Sequence, residues 1–538
     1  MASVLRKVAA VQGSARAVTM TAGRRGYRHW SFAQLQEAAD GYAARLEAEG
    51  VRAGDRVILM VRPSMEFISL TFALFQLGAV LILIDPGMGY ANLLRCIGGV
   101  RPDILVGIPR AVLFSRFVPG PFKTLRQRFC VGGGLGPLAR RLRPAVATPF
   151  PVVKAAPGQL AAIIFTTGST GPPKGVEYTH GIFHAQLEMI RDYYRIGPDD
   201  VDQPGFPLFA LFSTALGVRA VIPDMDPSRP AQVQPDKFVR SIVEQGVTYS
   251  FGSPAIWNVV SRYCLKQGIT LPVRKVLMAG APVPGELIDR VRRILPDRAE
   301  IHTPYGATES LPTTSCTGEE ILRSTWAMTG SGAGACVGRP LPGMEIRVIR
   351  PVDGPISRME LAEELPPGDI GEIVVRGPVV TQAYFDNAEE TRLAKIASDE
   401  GLWHRFGDMG YRDDTGRLWF CGRKAHRVLT PTGPMYTVCC EAIFNAHPRV
   451  FRSALVGIGA PGQQRPVLLV ELMDRQEPAA LFKELRALAL GNPLTATITD
   501  FLVHPGFPVD IRHNAKIFRE QLGQWAADRV GSDKEGGR

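Results

Sequence analysis

Short apolar runs alternate with amphipathic stretches along most of this chain, and that alternation is the strongest constraint on its architecture. Residues 57–61 (VILMV) and 80–84 (VLILI) flank 64–77 (SMEFISLTFALFQL). Runs this short and apolar throughout read as strands buried on both faces, and the longer stretch between them as a helix, so the segment predicts a β-α-β unit. Further strand-like runs stand at 104–106, 161–165, 220–222, 276–278 and 373–375, with amphipathic stretches such as 235–245 and 285–295 between them. The expectation is an α/β fold with largely parallel sheets flanked by helices. At 538 residues the chain exceeds what one hydrophobic core supports, so at least two domains are expected. The texture changes after Trp419-Phe420. Strand candidates at 454–457 and 467–472 and a helix at 478–490 suffice for a small α+β unit, which places a boundary between an N-terminal domain, 1–422, and a C-terminal domain, 423–538.

The run 161–165 leads directly into Thr166-Thr167-Gly168-Ser169-Thr170-Gly171-Pro172-Pro173-Lys174-Gly175. Hydroxyls, glycines that admit close backbone approach, and one lysine form a donor set for phosphate oxygens. It is not a Walker A loop: Pro173 precedes the lysine, and Gly175 stands where Ser or Thr would meet Mg²⁺. Taken alone, the stretch also reads as an ordinary Gly/Ser/Thr connection.

Charge raises the question of partners. The net charge is +11, and between Arg101 and Arg143 the only acid is Asp103. The stretch lacks the aromatic interleaving of single-strand binders and any helix-turn-helix or zinc-finger signature, so no nucleic-acid partner is expected. A solvated Arg-rich insertion is the preferred reading, with docking to a partner or to acidic lipid as the other. The eight cysteines are scattered without CxxC spacing, which fits a reducing compartment, and Cys439 and Cys440 read as small core-filling thiols. No secretory signal is read at the N-terminus. The apolar stretch 67–84 is split by Gln76 and Gly78, so no transmembrane segment is read there and a cytoplasmic enzyme is expected.

The ten-residue loop string resembles the phosphate loop of the adenylate-forming superfamily of acyl-CoA synthetases, luciferases and peptide-synthetase adenylation domains. The other segments such a resemblance demands follow in order. Gly280-Ala281-Pro282 follows the run 275–279, where relatives lay backbone against adenine. In Thr303-Pro304-Tyr305-Gly306-Ala307-Thr308-Glu309 the resemblance implies that Tyr305 stacks on adenine, Thr308 binds phosphate and Glu309 holds Mg²⁺. An aromatic face, a hydroxyl and a hard oxygen ligand suit those tasks. Asp408, in the 403–408 string WHRFGD, and Arg423, after Gly422, are implied ribose ligands. Lys516 matches the C-terminal-domain lysine that swings in during adenylation, where a cation offsets charge building on the carboxylate oxygen and α-phosphate. Ala515 stands where relatives usually have Gly. The resemblance spans essentially the whole chain and implies ATP with Mg²⁺, a mobile C-terminal lid and an active site between the domains.

Two departures narrow the expectation. Acyl-CoA synthetases usually carry Asp or Lys two residues after the hinge arginine; here that position is Ala425, which weighs against a CoA step. The strings 206–212 (FPLFALF) and 220–227 (AVIPDMDP), with 422–428 (GRKAHRV), resemble the olefin β-lactone synthetase family of bacterial long-chain hydrocarbon biosynthesis. That resemblance implies a small-molecule lipid acid, a 2-alkyl-3-hydroxyalkanoate, adenylated and then closed on itself to a β-lactone. It also implies work alongside a thiolase-like condensing enzyme, a ketoreductase and a lactone decarboxylase of the olefin pathway. Phe206, Leu208, Phe209, Leu211 and Phe212 are candidates for the acyl pocket. His180 and His184 are candidates by proximity for the base, with no choice between them. The alternative is a medium- or long-chain acyl-CoA synthetase.

Overall fold

The computed structural model describes residues 1–538 except 24–25, 134–138, 147–148, 166–170, 207, 474–477, 510–516 and 536–538. Arg56–Met60, Met65–Leu77 and Val80–Leu83 form the β-α-β unit, with Val57 in register with both Leu81 and Ile104. The helix begins where the Ser64 hydroxyl accepts from the Phe67 amide at 3.2 Å and ends at Gly78, whose φ of +71° is left-handed. Ser64 thus supplies an orphan amide of the first turn with an acceptor, and glycine takes the terminal conformation without a Cβ penalty. Every residue from Phe67 to Leu77 is buried, which is why the helix is apolar all round: it packs on the helix Phe32–Ala48 inside the core, not in lipid. Among the described residues no helix is long and apolar enough to cross a membrane.

Two large sheets carry the N-terminal part. The seven-stranded sheet orders Arg140–Arg141, Gln127–Cys130, Ile104–Gly107, Arg56–Met60, Val80–Leu83, Leu160–Phe165 and Gly175–Thr179, parallel except for the last pair. In the fourteen-stranded sheet the strands Arg16–Ala22, Arg219–Ile222, Val201–Asp202, Tyr249–Gly252, Lys275–Met278 and Glu300–Ala307 are parallel neighbours. From Ser310–Thr317 onward the pairing turns antiparallel, through Ala335–Pro340, Leu418–Arg423, Gly401–Arg412, Gly371–Arg376 and Glu345–Ile349. The run at 373–375 therefore belongs to this antiparallel half. A two-residue turn after Ala307 leaves no room for a crossover helix, so the next strand must return antiparallel.

Beyond the hairpin Val428–Thr430/Gly433–Met435, a three-stranded sheet (Val450–Ile458, Arg465–Leu472, Asp500–Val503) packs with the helices Thr437–Asn445, Pro478–Leu490 and Arg519–Glu535. Cys439 and Cys440 are buried in the helix Thr437–Asn445. The basic stretch is partly neutralised by acids from elsewhere: Arg126 pairs with Asp55, Arg140 with Glu49 and Arg101 with Asp386.

Asp202 lies in the parallel half, fully buried, and accepts a hydrogen bond from the Ser213 hydroxyl at 2.5 Å. Burial pushes its carboxyl up to about 8. The folded state therefore keeps a proton that the unfolded state releases above about 4. Stability falls as pH rises from that value to about 8. Asp202→Asn is expected to flatten this slope, read as unfolding midpoints in urea at several pH values; an unchanged slope would mean the carboxyl is not protonated in the fold.

Candidate active site

A cavity of about 2440 Å³ lies where the two large sheets and the C-terminal helices meet. Strand Glu300–Ala307 turns through Thr308-Glu309 into Ser310–Thr317, so a two-residue tip presents a hydroxyl and a carboxylate to the cavity. Gly306 permits the tight return: a Cβ there would stand 2.3 Å from the Ser310 carbonyl oxygen. The tip is held from two sides. The Tyr178 hydroxyl donates to the Thr308 carbonyl at 2.5 Å, the Thr381 amide to the Glu309 carbonyl at 2.9 Å, and the Tyr384 hydroxyl to Glu309 Oε1 at 2.7 Å.

Asp408 and Arg423 face each other directly across the antiparallel strands Gly401–Arg412 and Leu418–Arg423. Arg423 Nη1 donates to Asp408 Oδ1 at 2.6 Å, and the Tyr305 hydroxyl donates to Oδ2 at 2.6 Å. Burial and the adjacent carboxylate push the Tyr305 phenol far up, and the same carboxylate holds Arg423 charged. Three sequence-selected residues thus form one linked group on the cavity wall, beside Gly280, Ala281 and Pro282. Gly280 has a φ of +99°, a conformation that favours glycine where the strand Lys275–Met278 ends and the chain turns along the wall.

Gly171, Pro172 and Lys174 also line the cavity. Lys174 pairs with Glu390 at 2.5 Å and stands 5.1 Å from the Tyr384 ring centroid. Thr166, Thr167, Gly168, Ser169, Thr170 and Lys516 lie outside the described residues. The flanks of Lys516 are described: Val509 and Ile517 form an antiparallel bridge, and Ile517 and Arg519 line the cavity. Arg519 is anchored by both Nη atoms on the buried Glu441, at 2.5 and 2.9 Å.

Phe206, Leu208, Phe209 and Phe212 line an apolar part of the same cavity. Phe209 stacks on Phe251 with centroids 3.8 Å apart and an 18° tilt. Leu211 does not share this wall; it is 2% exposed, on a face of the helix Phe209–Ala215 packed into the core. Within the helix Phe209 and Phe212 stand three residues apart on one side, whereas Leu211 is turned about 200° from Phe209, so the run cannot turn all its apolar side chains to one cavity. Leu211→Ala is expected to cost about 2–5 kcal/mol of stability while leaving the KM for the acid unchanged; a raised KM at unchanged melting temperature would return Leu211 to the pocket.

Neither histidine candidate reaches the cavity wall. His180 is packed edge-on to Phe75 and lowered to about 4 by burial; His184 is exposed beside Glu188 at 3.7 Å. His426, on the segment following Arg423, does line the cavity and is likewise lowered to about 4, by burial and then by Arg519. Ala425 lines it too, next to Lys424, whose ammonium reaches the buried Glu372–Arg405 ion pair at 3.1 Å. Sequence reasoning also missed Tyr384, Glu390 and Lys395. Lys395 is buried behind Glu309, donates to the Thr381 carbonyl and is lowered by burial to about 7. No local pattern marks these three, because their partners lie in distant segments.

Among the described residues, no group of three or more His, Cys, Asp or Glu side chains forms a metal cage. A single carboxylate such as Glu309 fits Mg²⁺ of the kind that is held mainly by substrate phosphates and water.

The AMP-binding enzyme family matches residues 5–385. The olefin beta-lactone synthetase of Xanthomonas campestris pv. campestris is 46% identical over 513 residues, covering 93% of this chain and 91% of that protein. Its namesake from Stenotrophomonas maltophilia is 45% identical over 507 residues, covering 92% and 91%. Among solved structures, an amide bond synthetase from Marinactinospora thermotolerans superposes with a TM-score of 0.80 at 22% identity, over 97% of this chain and 99% of that one. That likeness shows the fold.

Proposed function

We propose that this chain, which belongs to the AMP-binding enzyme family, adenylates a 2-alkyl-3-hydroxyalkanoic acid with ATP and closes the product to a β-lactone. In the first step a carboxylate oxygen attacks the α-phosphorus and pyrophosphate leaves. In the second, the acid's own 3-hydroxyl oxygen attacks the acyl carbon, the C–O bond to AMP breaks with its electron pair, and the hydroxyl proton is lost. Intramolecular attack needs no second substrate. The site must exclude water, or hydrolysis of the mixed anhydride competes.

The observation that carries the adenylation reading is the linked Tyr305–Asp408–Arg423 group beside the Thr308-Glu309 tip in one cavity. Tyr305 and the backbone at Gly280-Ala281-Pro282 would hold the base, Asp408 and Arg423 the ribose, and Thr308 with Lys174 the phosphates. Glu309 would hold Mg²⁺, which supplies charge neutralisation of the phosphates when bound. Phe206, Phe209 and Phe212 would take the alkyl chains, and Lys516 would meet charge developing on the α-phosphate. In this reading residues 423–538 are a lid turning on Ala425, in a cytoplasmic enzyme that acts alongside other olefin-pathway enzymes. Two relatives named olefin beta-lactone synthetase support the second step.

The test supplies ATP, Mg²⁺ and a 2-alkyl-3-hydroxy acid with and without CoA. Lactone and AMP in equal amounts without CoA are expected. A product that forms only with CoA, as a thioester, would overturn lactone closure while leaving adenylation in place.

A further inference from the structure

Between residues 86 and 176 the chain carries one acid, Asp103, and twelve Lys or Arg. Asp103 is engaged by Arg56, and Asp386, at the end of the helix Tyr90–Val100, by Arg101. The helices Tyr90–Val100 and Pro109–Phe117 themselves carry Arg95, Arg110 and Arg116 and no acid. Along the outer side of Pro109–Phe117, Arg110, Leu113, Phe114 and Phe117 follow at helical spacing, while Val112 and Ser115 are buried on its inner side. Phe117 is 81% exposed and Tyr90 59%, and the Tyr90 ring meets the Phe114 ring edge-on at 5.5 Å. Arg116 and Lys123 are exposed beside this stripe. Folding gains nothing from leaving such aromatic area in water. Leu93 and Ala111, on the inner sides of these helices, and Ile108, just before the second, line the cavity.

Exposed rings ringed by Arg and Lys match one chemistry: aromatic side chains seat at the headgroup level of a bilayer while cations meet lipid phosphates. We propose that the Tyr90–Phe114–Phe117 face, with Arg110, Arg116 and Lys123, docks on an anionic phospholipid surface. Docking there holds the cavity's Leu93–Ala111 wall against the membrane, where a two-chain lipid acid resides. The docking itself does not depend on the reaction proposed above.

The full-length protein is sedimented with vesicles of phosphatidylcholine alone or of phosphatidylcholine and phosphatidylglycerol in equal parts. Binding is expected only to the anionic vesicles, and is released when salt rises from about 0.1 M to 1 M and the screening length drops from about 10 to 3 Å. Arg110→Gln and Lys123→Gln are each expected to lower the partition coefficient about fivefold, and Phe117→Ser to lower it without altering its salt dependence. None of the three should change the melting temperature or pyrophosphate release with a soluble short-chain acid. The double substitution Lys266→Gln/Arg298→Gln, at exposed sites on other elements, should leave binding unchanged. Failure to bind anionic vesicles would overturn the proposal and leave the face to an acidic protein. An equal loss in the distant double variant would also overturn it, reducing the effect to net charge.

Discussion

Replacing Lys516 with alanine is expected to lower pyrophosphate release about 10²–10³-fold while leaving ATP binding largely intact. The carboxylate and the α-phosphate are both anionic before they react, and the new bond concentrates charge between them only in the transition state. A cation placed there acts on kcat more than on binding. Ile517 and Arg519, which follow Lys516 in the chain, line the cavity. Rapid-quench measurement of pyrophosphate, with ATP affinity by calorimetry, checks both halves. Turnover at the wild-type rate would remove the lysine from the adenylation step.

Asp408→Ala is the second large effect. It removes a carboxylate that the Arg423 guanidinium and the Tyr305 hydroxyl share, while Arg423 keeps its bond to the Phe406 carbonyl at 3.1 Å. Asp408 is nearly buried, whereas a third of the Arg423 side chain meets solvent, which places the cost near the low end for a broken ion pair, about 3 kcal/mol. Urea unfolding should show that loss, and nucleotide affinity should fall with it. Asp408→Asn keeps an oxygen for Tyr305 but loses the charge, so it is expected to recover part of the stability and little of the affinity. Equal stability of the alanine variant and wild type would mean that the three groups are not coupled.

The parts of this site legible in the sequence were those written in consecutive residues. The run 161–165 with the Gly/Ser/Thr string after it, the string 303–309 and the string 403–408 are each contiguous, so their residue types stand in the sequence itself. Asp408 and Arg423 stand in separate strings of the sequence; that they face each other follows from strand register, which depends on pairing across the sheet. Leu211 shows the converse. The run 206–212 is apolar at nearly every position, so its composition does not separate the side chains on the cavity from Leu211 in the core. Tyr384, Glu390 and Lys395 were invisible for a further reason: each acts through a partner that the chain reaches only by folding, Glu309, Lys174 and Thr381. The antiparallel half of the large sheet was hidden in the same way, since a strand's propensity does not encode the direction of its neighbour.

The central claim is that the acid's carboxylate, not its hydroxyl, is activated, and oxygen labelling tests it most directly. The substrate is prepared with both carboxylate oxygens as the heavy isotope and a light 3-hydroxyl, and AMP and lactone are analysed by mass. Activation at the carboxylate predicts one heavy oxygen in AMP and one in the lactone carbonyl, with a light ring oxygen. Unlabelled AMP, with both heavy oxygens retained in the lactone, would show that the hydroxyl had been the activated group and would contradict the account.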